Sequence, residues 1–147
     1  MLPRWHVFWG AVFTALLWIF VPSISWIYLS CLFLSSFLID FDHYLAAVFH
    51  TKKLSFFHAL NYHDEMAKIE NEEYKRGILK RGDFHLFHTI EFHLAIAIIG
   101  IFFTPFLFIF MGMVFHSLLD VLWLVTHNRM HRREFLLIRH LGLGKHK

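Results

Sequence analysis

Three groups of ionisable side chains interrupt otherwise apolar stretches of this chain. Asp40, Asp42 and His43 follow the run that ends at Ile39. His85, His88, Glu91 and His93 open a second run, and His116 and Asp120 sit inside a third. Imidazole and carboxylate together are the ligand set of zinc, manganese and iron. The helical phase is favourable: His116 and Asp120 are i,i+4 and share a face, and Asp40 and His43 are i,i+3 if the helix continues through them. His85, His88 and Glu91 step by three along one stripe, and His93 lies off it. A divalent metal is therefore the implied cofactor, with room for two. The middle ligand stays open among His85, His88, Glu91 and His93, and Glu91 serves as general base where it is not a ligand.

The elements that would position these groups are membrane spans. Of the 147 residues 57% are hydrophobic, 19 of them Phe, and the mean hydropathy is +0.51. A soluble domain of that size could not bury so much apolar surface. Apolar segments at 5–21, 24–39, 84–104 and 105–125 predict an all-α, polytopic membrane bundle of about four transmembrane helices in a single domain over 1–147. The segment at 24–39 is short, so it either continues through Asp40 or thins the bilayer locally. The first span resembles a signal peptide but lacks a small-x-small site, so it is expected to stay uncleaved.

Between the second and third spans lies a polar insert, 40–83. Asp64 with Lys68, Lys68 with Glu72, and Glu72 with Arg76 stand at i,i+4, which predicts a solvated helix broken at Gly77 and Gly82. The tail from His127 to Lys147 is basic, with an apolar side at Phe135, Leu136, Ile138 and Leu141, and reads as an interfacial helix. Arg4 and the tail carry positive charge, whereas the turns at Pro22–Ser23 and Thr104–Pro105 carry none. The positive-inside rule then places both termini and the insert in the cytoplasm, as expected of an integral protein of the cell (inner) membrane. In that topology all three ionisable groups reach the same leaflet. A charge at mid-membrane costs roughly 2.5–3.5 kcal/mol on insertion scales, so Glu91 and Asp120 need a partner or a cation.

The chain has 13 histidines and a single cysteine, Cys31, so no disulfide can form within one chain. Lone intramembrane histidines more often serve helix packing than metal binding. His6, His50, His58, His63, His131, His140 and His146 are read in that way, or as interfacial or solvated. Membrane lipids are the expected surroundings, no nucleic-acid partner is expected, and the oligomeric state is left open.

Two stretches resemble a known family. "LIDFDHYL" resembles the Asp-x-Asp-His signature of the membrane-bound, metal-dependent hydrolases described as LexA-binding and inner membrane-associated. "GMVFHSLLD" resembles that family's later His-x-x-x-Asp helix. The resemblance implies Asp40, Asp42, His43, His116 and Asp120 as metal ligands. A more distant similarity to zinc-dependent phospholipase C, where His-x-x-x-Asp supplies zinc ligands, implies zinc foremost and a phosphoester or lipid-like substrate. The family's middle His-Arg element is absent: Thr89 follows His88, and none of the middle histidines has an arginine beside it.

The expectation is thus a membrane metal-dependent hydrolase with its site at the cytoplasmic leaflet, acting on an amphipathic or phosphoester substrate. A membrane non-haem iron oxygenase is the alternative, although the chain contains no His-His pair. A non-enzymatic protein that handles metal ions or protons, or a bundle whose polar cluster only fixes packing, completes the set.

Overall fold

A computed structural model describes residues 3–82 and 84–142. The described part is all-helical, with no strand. Helix α1 spans Pro3–Phe20, α2 Trp26–Leu38, α3 Phe41–Thr51, α4 Phe56–Lys75, α5 Ile90–Phe102, α6 Thr104–Thr126 and α7 Leu137–His140. Ser25 caps α2 by accepting from the Ile27 N–H, and Thr89 caps α5 by accepting from the Phe92 N–H. Ile39 and Asp40 keep right-handed helical dihedrals, so α2 and α3 run on almost without interruption.

Two stretches, Trp26–Thr51 and Thr104–Thr126, are long and apolar enough to cross a membrane. Helices α1 and α5 are apolar but shorter. The span expected at 84–104 contracts to the 13 residues of α5, about 20 Å of helix against roughly 30 Å of hydrocarbon. The physical reason lies upstream. His85 is extended and Leu86–His88 form a single 3-10 turn, so the histidines approach on a turn of chain and not along one helical stripe.

Helices α1, α2, α5 and α6 alternate in direction. At one end Trp18 meets Trp26 with ring centroids 5.1 Å apart, and Tyr28 stacks on Phe108 at 4.9 Å. At the other end lie His6, Asp40, His88 and Asp120. Small residues set the spacing between helices. A Cβ on Gly112 of α6 would overlap the Ser35 Oγ and the Leu32 carbonyl of α2. A Cβ on Gly10 of α1 would overlap the Ser36 Oγ. Ser35 and Ser36 satisfy their own hydroxyls on the Leu32 and Phe33 carbonyls, so the close faces leave no polar group stranded.

The solvated helix of the insert forms as α4, and Glu72 and Arg76 pair across it at 3.9 Å. It ends where expected: Gly77 takes φ +76°, and the Ile78 N–H returns to the Glu73 carbonyl at 2.9 Å. The tail departs from expectation. Its described part forms a 3-10 turn, Met130–Arg132, and the four-residue α7, not an interfacial helix. Besides its own short turns, its backbone is tied to the bundle. The Gly82 N–H donates to the Arg132 carbonyl and the Ile90 N–H to the Phe135 carbonyl, both at 2.9 Å. Lys145, His146 and Lys147 lie outside the described residues.

Replacing Gly112 by Val should force α2 and α6 apart and cost about 1–3 kcal/mol, read as a lower thermal midpoint in detergent; an unchanged midpoint would contradict this packing.

Candidate metal centre

The cluster is built from three helices and two connecting segments. Asp40 stands at the α2–α3 junction, and Asp42 and His43 lie in the first turn of α3. His85 and His88 come from the segment before α5, His116 and Asp120 from α6, and His6 from α1. His6, Asp42, His85, His88, His116 and Asp120 are all buried.

The inner group is defined by hydrogen bonds behind it. The His116 Nδ1–H donates to the Ser36 carbonyl at 2.9 Å. The His88 Nδ1–H donates to Asp42 Oδ2 at 3.0 Å. Each ring, when neutral, therefore presents the lone pair of its Nε2 inward. The two Nε2 atoms lie 3.2 Å apart. Asp40 Oδ1 is 3.4 Å from each of them. Asp120 Oδ2 is 3.5 Å from His116 Nε2 and 3.9 Å from His88 Nε2. Two nitrogen lone pairs and two carboxylate oxygens thus point at one small volume. Such an arrangement repels itself unless a proton or a cation sits among the four.

An outer group adjoins it. Asp42 Oδ2 also accepts the Phe87 N–H at 3.1 Å, which turns Oδ1 toward His85 Nδ1 at 3.7 Å. The His43 and His85 rings lie with centroids 3.6 Å apart, and His43 Nε2 is 3.5 Å from Asp40 Oδ1. Asp42, His43 and His85 form one set of donors close enough to hold an ion; His88, His116 and Asp120 form another. Asp40 contacts both.

The seven sequence-derived ligand candidates, Asp40, Asp42, His43, His85, His88, His116 and Asp120, are thus brought together. Glu91 is not among them. Its carboxylate accepts the backbone N–H groups of Leu137 and Ile138 at 3.0 and 3.3 Å, at the start of α7. That geometry removes it from the role of general base: the chain enters α5 only at Ile90, so Glu91 faces the tail and not the cluster. His93 bridges helices, donating to the Thr89 carbonyl at 2.9 Å and meeting the Ser117 Oγ at 3.1 Å. His127 is exposed and bonds the Trp123 carbonyl at the end of α6.

Two residues of the centre were not singled out by sequence reasoning. His6, taken for a packing histidine, is 1% exposed, stacks on His116 at 3.8 Å and approaches Asp120 Oδ1 at 3.2 Å. Its depth in the first span was an available signal, because topology puts it at the same end as Asp120. Arg133 reaches Asp120 Oδ2 at 3.1 Å. No local pattern announces it, since its approach depends on the tail folding back over the bundle.

Above the cluster lies a cavity of about 160 Å³. His43, His85 and Asp120 form its inner side, His63 of α4 another wall, and Arg132 and Arg133 the tail side. His63 is held there by a 2.8 Å hydrogen bond to the His43 carbonyl.

No protein-family model, curated protein or solved structure matches the chain.

Changing Glu91 to Gln should leave any bound metal at its wild-type stoichiometry while amide exchange at Leu137 and Ile138 accelerates, a pattern readable by elemental analysis beside hydrogen–deuterium exchange. Loss of metal in that variant would return Glu91 to the centre.

Proposed function

We propose that this protein is an integral membrane hydrolase that uses a divalent metal, foremost zinc, at one face of the bilayer. The observation that carries the reading is the spacing of the inner donors. Four ligands placed tetrahedrally about 2.0–2.1 Å from zinc lie roughly 3.3 Å from one another. Five of the six separations among His88 Nε2, His116 Nε2, Asp40 Oδ1 and Asp120 Oδ2 run from 3.2 to 3.9 Å. Ser36 and Asp42 supply the outer hydrogen bonds that orient metal-binding imidazoles. Asp42, His43 and His85 would hold a second ion, with Asp40 shared between the two groups.

A bound divalent ion would supply Lewis acidity toward a phosphoryl or carbonyl oxygen and an attacking water. The chain does the rest. Burial of His88 and His116 excludes bulk water from the inner side. His63, on the cavity wall, is the group placed to pass a proton between substrate and solvent, the task first assigned to Glu91.

Support for a four-span arrangement with cytoplasmic termini comes from the alternating directions of α1, α2, α5 and α6 and from their exposed apolar ends. Phe20 is 78%, Trp26 66% and Phe102 76% exposed at the end remote from the cluster. Lipid is the solvent that suits such a surface. Where α5 falls short, the bilayer would thin locally, which brings headgroups nearer the cluster. The resemblance of "LIDFDHYL" and "GMVFHSLLD" to membrane-bound metal-dependent hydrolases supports the same reading and points to phosphoester or lipid-like substrates.

Elemental analysis of detergent-purified protein tests it. Wild type should carry stoichiometric zinc or manganese, and the His116→Ala/Asp120→Ala variant should lose it. Chelation should abolish phosphoesterase activity, and added zinc should restore it. Iron in the preparation would favour oxygenase chemistry. No metal in either protein, with the variant still folded, would make the inner group a proton-sharing cluster and end the hydrolase reading.

A further inference from the structure

The tail that closes over the cluster brings two arginines to it. Arg133 sets one Nη against Asp120 Oδ2 at 3.1 Å, and its side chain is 15% exposed. Arg132 pairs with Glu70 of α4, both side chains being 23% exposed. Both arginines line the cavity that His43, His85 and Asp120 close from below. A guanidinium has five N–H donors, and the paired carboxylate engages one nitrogen of each here. Each carboxylate therefore holds its guanidinium in place without exhausting the five donors. The Arg132 carbonyl is itself anchored by the Gly82 N–H at 2.9 Å, so the backbone under the pair is held as well.

We propose that Arg132 and Arg133 form the anion-binding wall of this cavity and select substrates bearing a phosphate monoester group. This inference rests on the metal-site reading, because it takes the cluster as the reacting side of the same cavity. Paired arginines match the oxygens of a phosphate, which a lysine or a single imidazole does not. A cavity of about 160 Å³ has room for a phosphoryl group and a few further atoms but not for an acyl chain. The substrate therefore enters by its phosphate end, whether it is a lipid headgroup or a small soluble ester. Arg132 and Arg133 line one side of the cavity and His43 and His85 another, so the phosphoryl group would meet both.

Binding of inorganic phosphate to the full chain in detergent, followed by calorimetry and by the shift in thermal midpoint, tests the wall without turnover. Arg133→Gln and Arg132→Gln should each weaken phosphate binding roughly tenfold while metal content stays at the wild-type value. Arg139→Gln, in α7 and outside the cavity lining, should bind as wild type does. If Arg133→Gln does not fold, Arg133→Lys keeps the charge but loses the fork, and should weaken binding a few-fold. A short-chain phosphatidic acid binding more tightly than glycerol phosphate would identify a lipid headgroup; equal binding would identify a soluble ester, and both support the wall. Unchanged phosphate affinity in the arginine variants, with metal bound, would overturn this proposal and leave the metal site standing. Arginine-dependent phosphate binding in a protein that holds no metal would keep the wall and overturn the metal reading instead.

Discussion

Three carboxylates are buried or nearly so at one end of an apolar bundle, and much of the structure answers to their charge. Asp42 accepts hydrogen bonds from the Phe87 N–H and His88. Asp120 takes His6 on one oxygen and Arg133 on the other. Asp40 has three imidazoles around a single oxygen. Withdrawing a carboxylate from water costs several kcal/mol in a protein interior unless such partners are in place. The extended approach to α5 and the returning tail are both arrangements that deliver a nitrogen to a carboxylate.

The helices can meet these demands because they approach closely. Gly112 lets α6 ride on the Ser35 turn of α2, which brings His116 within reach of the Ser36 carbonyl. That one bond commits the ring's Nδ1 and aims its Nε2. Gly10 does the same for α1, and His6, one helical turn earlier, then stacks on His116. Packing by small residues and orientation of the imidazoles are thus the same geometric fact seen at two depths.

Much of this was legible in the sequence. The runs of apolar residues mark the helices, and His116 with Asp120 at i,i+4 share a face as periodicity requires. Asp40, Asp42 and His43 are found where the apolar run ends, because α3 continues α2 with little change of direction. Periodicity failed between Phe84 and Thr89. A helical stripe was read there, but Thr89 starts the helix as its cap, so His85 and His88 arrive on irregular chain and Glu91 points elsewhere. His6 and Arg133 belong to contacts between segments remote in sequence, which spacing along one helix cannot register. The tail was misread for the same reason: its amphipathic pattern is real, but between its two short turns the Arg132 and Phe135 carbonyls bond Gly82 and Ile90, which breaks a continuous helix.

The contact between His6 and Asp120 joins the first helix to the sixth, across almost the whole chain. Helix α1 has few other polar ties to its neighbours. A cation held by Asp120 would therefore act next to the contact that ties α1 to α6. Were an ion to bind there, assembly of the bundle and occupancy of its polar end would be linked equilibria.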